Sequence, residues 1–511
     1  MSNISNNRRI VKNTLFLYFR MVLTLGVTLY TSRVVLNSLG VEDFGIYNVV
    51  GGVVTMMAFL SGAMSSATQR FFSFELGQNN LEQLAKVFKM SLSIHWLIIL
   101  MMVLLAQTLG LWFVNTHLVI PPERLIAANW VFQCALFSFC CTVLGVPYNA
   151  AIIAHERMSA FAYISIIDVL LKLTVVFLLA EHCGDRLQFY ALLMVAVSLL
   201  TLGCYYIYAR RQFAVTRFSL YWDATLFKIL LSYTGWNLFG NLAVVMSNQG
   251  INILLNIFFG AHVNAARAIA IQVSGAISGF VNSLQMSINP QIIKAYAVED
   301  MLYMHKLVFA GARYTFYFML LLSSPVFMET QVILELWLGD VPRYTSFFVQ
   351  LVLIESCLIC LSGTLMTSAQ ATGNIKLYQV VVGGLQLCNL PVAYLLLKIN
   401  KTPLVVFYVS IFMIILSFVV RLLFMKKLIN LTISEYIKNV LVLSSRVILV
   451  VVVVNFSIGY LFFDVFLDDN LHVLIKIIIY LITTSAIIYW IGLRAEEKSF
   501  INKLVLKVIS R

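Results

Sequence analysis

Charged residues are scarce in this chain of 511 residues: they make up 11% of the sequence, whereas apolar residues make up 61%. A soluble globular protein carries about 25% charged residues, so this composition excludes one. Apolar stretches of about 20 residues recur from end to end, and this is the length at which an α-helix crosses a bilayer core of about 30 Å. Because backbone groups find no water in hydrocarbon, we expect these stretches to be helices and not the short alternating strands of an outer-membrane barrel.

Motifs for nucleotide hydrolysis and for common hydrolases are also missing. The chain contains no G-x-x-x-x-G-K-[ST], H-E-x-x-H or G-x-S-x-G sequence, and each of these is needed for a particular chemistry. We therefore expect a protein that is not an enzyme, with no catalytic residues, no metal and no cofactor. The net charge of +13 comes from Lys and Arg in short loops between spans, which is a topology signal, so no nucleic-acid partner is expected.

The apolar stretches predict about fourteen transmembrane helices, numbered as spans 1 to 14 in chain order. Their boundaries, uncertain by about three residues, are 14–36, 46–68, 90–113, 127–150, 160–180, 188–209, 229–257, 264–288, 307–328, 345–369, 377–397, 403–424, 442–465 and 471–491. With the N-terminus on one side, about 22 Lys and Arg lie in the loops of that side and about five on the other. This bias predicts a multi-pass membrane protein with both termini in the cytoplasm.

Three pairs of similar segments are separated by about 220 residues. LGVEDFGIYN resembles FFGAHVNAARAI around Gly40 and Gly260, SSATQRFFSFELGQNN resembles MSINPQIIKAYAVED, and GVPYNAAIIAHERM resembles GTLMTSAQATGNIK. A constant separation indicates an internal duplication. Because each copy holds six spans, both copies face the same way in the membrane. The sequence thus predicts two parallel six-helix lobes, 1–217 and 218–428, followed by two extra transmembrane helices and a cytoplasmic tail in 429–511.

Polar side chains recur on one face of each of four predicted spans, at the spacing that places residues on one side of a helix. These stripes are Arg20, Thr24, Thr28 and Thr31 on span 1; Asn48, Thr55, Ser66 and Arg70 on span 2; Asn237, Asn241, Asn248 and Asn252 on span 7; and Arg267, Ser274, Ser278, Asn282, Gln285 and Asn289 on span 8. Spans 1–2 and 7–8 are equivalent in the repeat, which favours a shared, water-accessible cavity. The alternative is that these groups hydrogen-bond between helices of a tight bundle.

Glu355 on span 10 is an acidic residue well inside a span, with no obvious cation near it in the sequence. A buried carboxylate of this kind is a candidate proton or sodium site, because ionisable groups in the membrane are costly and mark ion pathways. The alternative is a structural acid that is satisfied by hydrogen bonds.

Other charged residues have simpler interpretations. Asp168 and Lys172 on span 5 lie one turn apart and are expected to neutralise each other. Arg313 lies near a cytoplasmic helix end, where we expect it to extend its charge to the interface. His155 and Glu156 lie in a cytoplasmic loop and are expected to be solvated.

The span number, the duplication, and the segments LGVEDFGIYNVVGG and ATQRFFSFELG together resemble the Wzx-type polysaccharide flippases, over essentially the whole chain. These O-antigen flippases belong to the superfamily that contains the MATE exporters and the MurJ lipid II flippases. The resemblance implies alternating access between two lobes around a cavity lined by spans 1, 2, 7 and 8. It also implies an undecaprenyl-diphosphate-linked oligosaccharide as substrate and a sodium or proton gradient as energy source.

The same resemblance places the diphosphate at cavity arginines, which correspond to Arg20 and Arg267 here. The chemistry is consistent with this, since an arginine offers a bidentate fork to phosphate oxygens and Asn, Gln, Ser and Thr offer neutral hydrogen bonds to sugars. We therefore expect a flippase for cell-surface polysaccharide or lipopolysaccharide biosynthesis, whose partners are the lipid-linked oligosaccharide, membrane lipids and the polysaccharide assembly machinery. The alternatives are a MATE-type ion-coupled exporter of small molecules and a membrane polysaccharide polymerase or glycosyltransferase.

Overall fold

The computed structural model describes residues 2–55, 58–118, 120–181, 184–217, 219, 221–461, 469–499 and 502. In these ranges 91% of the residues are helical and no strand occurs. The predicted all-α class is therefore confirmed. Two compact units are present, and the internal structure of each is described separately.

Seventeen α-helices lie in the described ranges, joined mostly by short turns. They are α1 (Ser2–Thr55), α2 (Ala58–Gly77), α3 (Leu81–Leu105), α4 (Leu111–Thr116), α5 (Leu125–Ala154), α6 (Met158–Glu181), α7 (Arg186–Gln212), α8 (Ala224–Phe259), α9 (Ala261–Ala297), α10 (Met301–Met328), α11 (Thr330–Leu338), α12 (Thr345–Thr372), α13 (Lys376–Ile399), α14 (Val405–Leu428), α15 (Ile433–Tyr436), α16 (Val442–Leu461) and α17 (Asp469–Ile487).

The chain reverses at two glycines in the left-handed region of backbone space. Gly40 has φ 81° and interrupts α1, and Gly260 has φ 79° and separates α8 from α9. An L-residue with a Cβ rarely adopts this conformation, whereas glycine does so at no steric cost. These are the two glycines that the sequence repeat pairs, so the backbone repeats the same reversal about 220 residues apart.

Two further pairs of positive-φ residues follow nearly the same separation. Asn79 (φ 59°) corresponds to Glu299 (φ 58°), and Glu156 (φ 59°) corresponds to Gly373 (φ 78°). All four lie just after long helices, where a left-handed residue ends the helix. The turns of the two sequence copies therefore share backbone conformations as well as residues. The division into lobes at 217 and 428 stays a prediction.

Twelve helices in the described part of the chain are long and apolar enough to cross a membrane, fewer than the fourteen predicted. The predicted spans 46–68 and 264–288 are not among the twelve, and residues 56 and 57 of the first lie outside the described part. The gap at residues 56 and 57 divides the first of these spans, and the polar stripe of α9 lowers the mean hydropathy of the second. Both segments are nevertheless helical where they are described.

Large apolar side chains point outward along the apolar helices. Ile126 is 78% exposed, Ile257 70% and Trp490 71%. Such surfaces are unfavourable in water and favourable in hydrocarbon. The chain is therefore a multi-pass integral membrane protein.

The first unit comprises Met1–Leu242, Met286–Asp300 and Gly373–Lys376. Its core contains a row of aromatic rings that runs from Phe72 through Phe88 and Tyr148 to Tyr206, with successive centroids 5.8, 5.5 and 5.5 Å apart. This row joins α2, α3, α5 and α7, and edge-to-face contacts of this kind add to the burial of apolar area.

Ion pairs inside the first unit include the predicted one on α6. Lys172 Nζ lies 2.7 Å from Asp168 Oδ2, which confirms that expectation. At the end of the unit predicted to be periplasmic, Arg124 binds two carboxylates. Its Nε donates to Asp43 Oδ1 at 2.8 Å and its Nη1 to Asp185 Oδ2 at 2.9 Å. The arginine fork thus joins the starts of α5 and α7 to the segment that follows Gly40.

The second unit comprises Ala243–Gln285, Met301–Thr372 and Leu377–Arg511. Its centre is α10, which packs against α12, α16 and α17. Arg313 on α10 is 2% exposed, and its Nη2 lies 2.5 Å from Glu497 Oε1. The expectation that Arg313 extends its charge to the interface is therefore wrong: a carboxylate from the C-terminal segment neutralises it inside the unit.

The last two transmembrane helices, α16 and α17, are joined to α10 near both of its ends. Besides the Arg313–Glu497 pair, Tyr317 donates to the carbonyl of Gly492 at 3.2 Å. Near the other end, Lys476 Nζ lies 3.6 Å from Glu329 Oε1. Polar contacts near both ends of one helix fix the position of the C-terminal helices in the second unit.

Candidate functional site

A buried arginine and two asparagines meet where α8 and α9 run side by side in the second unit. Arg267 is 5% exposed. Its Nη1 donates to Asn252 Oδ1 and, at 3.4 Å, to the carbonyl of Asn248, while its Nη2 lies 3.5 Å from Asn248 Oδ1. Asn252 and Arg267 each lie about two helical turns from the reversal at Gly260, so they come to the same height. The two predicted polar stripes therefore face each other here.

Neutral amides hold this charge without cancelling it. Asn252 Nδ2 also donates to Gln249 Oε1 at 3.0 Å, which orients the Asn252 oxygen towards the guanidinium. An arginine that is positioned by amide oxygens keeps its full positive charge and retains donors for an anion. Asn248 is exposed, whereas Asn252 is half-buried, so the cluster is open on one side.

Glu355 on α12 is the acidic group whose charge acts on Arg267 of this cluster. Its Oε1 is shielded from solvent and has no hydrogen-bond partner among the described residues. Arg267 of α9 is near enough to interact electrostatically with Glu355, without a direct ion pair in the described contacts. Glu355 has no cation near it in the sequence, and this neighbour comes from a helix that is distant in sequence.

The other predicted residues of α9 lie along the same helix. Ser274 shares a hydrogen bond of 2.7 Å with Ser356 of α12, a partner that the sequence analysis missed although it adjoins Glu355. Gln285 packs so closely on Gly363 that a Cβ there would lie 2.2 Å from its Nε2. Ser278 is half-buried and Asn282 is exposed.

In the first unit, Arg20 lies on α1 with its guanidinium over the ring of Phe161, 4.8 Å from the centroid. Arg20 is half-buried, and its Nε has no hydrogen-bond partner among the described residues. The charge is therefore packed against α6 and is not cancelled by a carboxylate in the described contacts.

The remaining predicted residues of the first unit divide into exposed and structural groups. Thr24 and Thr31 are half-buried and Thr28 is exposed; Thr31 Oγ1 donates to the carbonyl of Thr28. The exposed Asn48 donates to the carbonyl of Phe44, within its own helix.

Asn237 is 1% exposed and donates to the carbonyl of Ala63 on α2 at 3.0 Å. Because the bond joins two helices inside the first unit, Asn237 has the structural role that the sequence left as an alternative. Asn241 and Ser66 are half-buried.

Glu156 was expected to be solvated, and this is wrong. It is 3% exposed, accepts from Lys294 Nζ at 2.6 Å and accepts from Gln291 Nε2 at 2.9 Å. A carboxylate in a short turn looks solvated in the sequence because its partners lie 135 and 138 residues away.

Comparison with known proteins shows what this fold resembles. No protein-family model and no curated protein matches the sequence. Among solved structures, a MATE in complex with MaL6 superposes with a TM-score of 0.71 at 11% identity, covering 82% of this chain and 96% of that one.

Two further solved structures cover nearly the same part of the chain. A Vibrio cholerae MATE transporter mutant superposes with a TM-score of 0.68 at 17% identity, over 83% of this chain and 97% of that one. A MOP superfamily transporter from Pyrococcus furiosus, described by a binding pocket of reverse polarity, superposes with a TM-score of 0.69 at 12% identity, over 82% and 96%. The chain therefore has the MATE-like fold that the sequence predicted.

Proposed function

We propose that this protein is a flippase that moves an undecaprenyl-diphosphate-linked oligosaccharide from the cytoplasmic to the periplasmic leaflet by alternating access. It would act in the bacterial inner membrane, with both termini in the cytoplasm, alongside the machinery that assembles cell-surface polysaccharide or lipopolysaccharide. The MATE-like fold supports a membrane transporter, and the lipid-linked sugar is our inference from the chemistry of the candidate site and from the resemblance to Wzx-type flippases.

The observation that supports this proposal most strongly is the environment of Arg267. Its guanidinium is buried and is held by the amide groups of Asn248 and Asn252. A diphosphate needs fixed positive charge where water is scarce, and the arginine fork matches its oxygens. The surrounding amides and hydroxyls, including Ser274, provide donors and acceptors for a neutral sugar.

We further propose that Glu355 couples transport to an ion gradient. An ionised Glu355 attracts the Arg267 charge and therefore competes with a diphosphate for it. Binding or release of a proton or of sodium at Glu355 would change the affinity of Arg267 for the diphosphate, which is the link that coupling to an ion gradient requires. Arg20 is the second diphosphate candidate, since it too is a membrane-embedded guanidinium without a carboxylate partner in the described contacts.

A MATE-type ion-coupled exporter is the second candidate function. The observation that favours it is Glu355, since a shielded carboxylate without a hydrogen-bond partner could bind an organic cation. Arg267 opposes this function because it would repel such a cargo. A polymerase or glycosyltransferase has no comparable support.

The test is a flipping assay with purified protein in liposomes, using a fluorescent polyprenyl-diphosphate-linked N-acetylglucosamine whose leaflet is reported by quenching. Arg267→Gln should decrease the initial flipping rate at least tenfold because it removes the charge. Arg267→Lys keeps the charge and loses the bidentate fork, so its flipping rate should lie between those of wild type and Arg267→Gln. Arg343→Gln is the control, since Arg343 is an exposed cation of the same unit that stacks on Tyr344.

Equal rates for wild type and Arg267→Gln would refute the proposed site. If wild-type liposomes show no flipping but accumulate a fluorescent organic cation under an ion gradient, the exporter is the correct function.

A further inference from the structure

Glu156 joins two distant parts of the sequence at the end of the helices predicted to be cytoplasmic. It lies in the turn between α5 and α6, in the first copy of the repeat. Its partners Gln291 and Lys294 lie on the last turns of α9, in the second copy. All three belong to the first compact unit. We call Glu156, Gln291 and Lys294 the first latch.

The surroundings of the first latch are closely packed. Thr14 Oγ1 and Ser287 Oγ share a hydrogen bond of 2.9 Å, and Ser287 is fully buried. At Gly77, a Cβ would lie only 2.7 Å from Ala297 Cβ and 2.9 Å from Lys294 Cα. The N-terminal part of α1 therefore contacts α9, and the end of α2 presses on the end of α9 with no room for an added methyl group at Gly77.

A second contact lies at a comparable place in the repeat, one helical turn further from the helix end. Arg70 lies near the end of α2, as Lys294 lies near the end of α9, and Gly373 lies in the turn after α12 that corresponds to Glu156. Arg70 is 7% exposed, and a Cβ at Gly373 would lie 2.8 Å from its Nη2. We call Arg70 and Gly373 the second latch.

The rings of Phe74 and Tyr233 hold the Arg70 guanidinium at the second latch. Its Cζ lies 4.6 Å from the Phe74 centroid and 5.7 Å from that of Tyr233. Cation–π contacts of this kind keep a charged group in place where water is excluded.

We propose that the two latches form a gate that closes the cytoplasmic end of the transport pathway. In each latch, a cation near the end of α2 or α9 contacts a turn that belongs to the other copy of the sequence. Opening requires the two copies to separate at this end, which breaks both latches at once. This inference rests on the proposed alternating-access function, but not on the identity of the cargo.

The chemistry of the first latch is appropriate for a reversible contact. The attraction between buried charges is largely offset by the loss of their hydration, so a buried ion pair closes with a small net gain. On opening, Glu156 and Lys294 regain water. Removing one partner, in contrast, leaves the other buried without compensation and strongly disfavours the closed state.

The test measures closure by disulfide formation between Thr14→Cys and Ser287→Cys, with the eight natural cysteines replaced. These side chains are already in hydrogen-bond contact, so thiols there can join when the gate is closed. A protease site inserted after the exposed Arg217, between α7 and α8, lets the crosslink be read as two fragments that stay together on a non-reducing gel. The assay uses membrane vesicles and needs no substrate.

Glu156→Gln and Gly373→Ala should each decrease the crosslinking rate about tenfold. The double variant Glu156→Lys with Lys294→Glu exchanges the two charges and should recover most of the lost crosslinking rate. This recovery would also show that the protein still folds. Gly77→Ala, which alters no charge, should decrease the rate by obstructing closure. Lys86→Gln is the matched control, because it removes the ion pair of 2.7 Å with Glu82 at an exposed site of the same unit.

An unchanged rate in Glu156→Gln, or an equal decrease in Lys86→Gln, would overturn the gate. A failure of the flipping assay together with the expected crosslinking pattern would reject the lipid-linked cargo and leave the gate supported.

Discussion

The Arg313–Glu497 pair offers a quantitative test of how the C-terminal segment is attached to the second unit. Arg313 is 2% exposed and Glu497 16% exposed at the side chain. Arg313 Nε and Nη1 have no hydrogen-bond partner among the described residues, so Glu497 is the principal compensation for this charge. Glu497 also accepts from the backbone N–H of Arg494 at 2.8 Å, and is therefore partly satisfied without Arg313.

The two single substitutions should consequently have unequal effects. Glu497→Ala leaves a buried and uncompensated cation, which should lower the free energy of unfolding by about 3–5 kcal/mol. Arg313→Met leaves a carboxylate that lies closer to water and keeps one donor, which should lower it by about 1–2 kcal/mol. The double variant should be more stable than Glu497→Ala alone, since no buried charge remains.

Equilibrium unfolding of the purified protein in mixed detergent micelles measures these differences, and a double-mutant cycle isolates the coupling. Additive effects, or a larger loss for Arg313→Met than for Glu497→Ala, would refute the reasoning. In the first case the pair would not be coupled, and in the second Glu497 would be the more deeply buried charge.

Two further predictions concern backbone strain and pH. Gly260→Ala should lower the free energy of unfolding by about 1–2 kcal/mol because φ is 79° there. Gly235→Ala should raise it by about 0.5–1 kcal/mol, because Gly235 lies inside α8 with open space where a Cβ would be added. Changes of the same sign for the two variants in an unfolding measurement would contradict this. Burial lowers the pKa of His155, which stacks on Phe213 at 3.9 Å and lies near Lys294. Neutral His155 therefore adds its full share to the stability of the folded state above its ordinary pKa of about 6.5. This share is lost as the pH falls below that value, because the buried ring must then be protonated. The melting temperature should fall more between pH 7.5 and 5.5 in wild type than in His155→Phe, which keeps the ring stacking, and an equal fall would exclude His155 as the cause.

Sequence periodicity predicted the polar faces of α8 and α9, and the reversal at Gly260 explains why these faces meet. Helical spacing fixes which residues share a face, and the reversal at Gly260 brings two such faces together, so Asn248, Asn252 and Arg267 could be expected to lie close. The same reasoning placed Asn237 in the polar stripe but could not show that its side chain donates to the carbonyl of Ala63. A stripe shows which side of its own helix is polar, whereas the group that meets this side depends on how the helices pack.

Contacts between distant charged residues were beyond the sequence analysis. Glu355, Arg313 and Glu156 each have a partner or neighbour from another helix or turn, and no local pattern identifies it. Glu156 and Lys294 are oppositely charged residues in two predicted cytoplasmic segments, which was the available signal, but many such pairs exist in any chain. Hydropathy alone undercounts such helices: α9 carries a polar face and is not among the twelve, although it is a continuous helix.

The turns at Glu156 and Gly373 have the same left-handed backbone conformation but tolerate different changes. A side chain at 373 would collide with the Arg70 guanidinium, whereas the side chain at 156 takes part in a buried contact with Lys294. Truncation of the side chain should therefore be harmful in the first turn, and addition of a side chain should be harmful in the second.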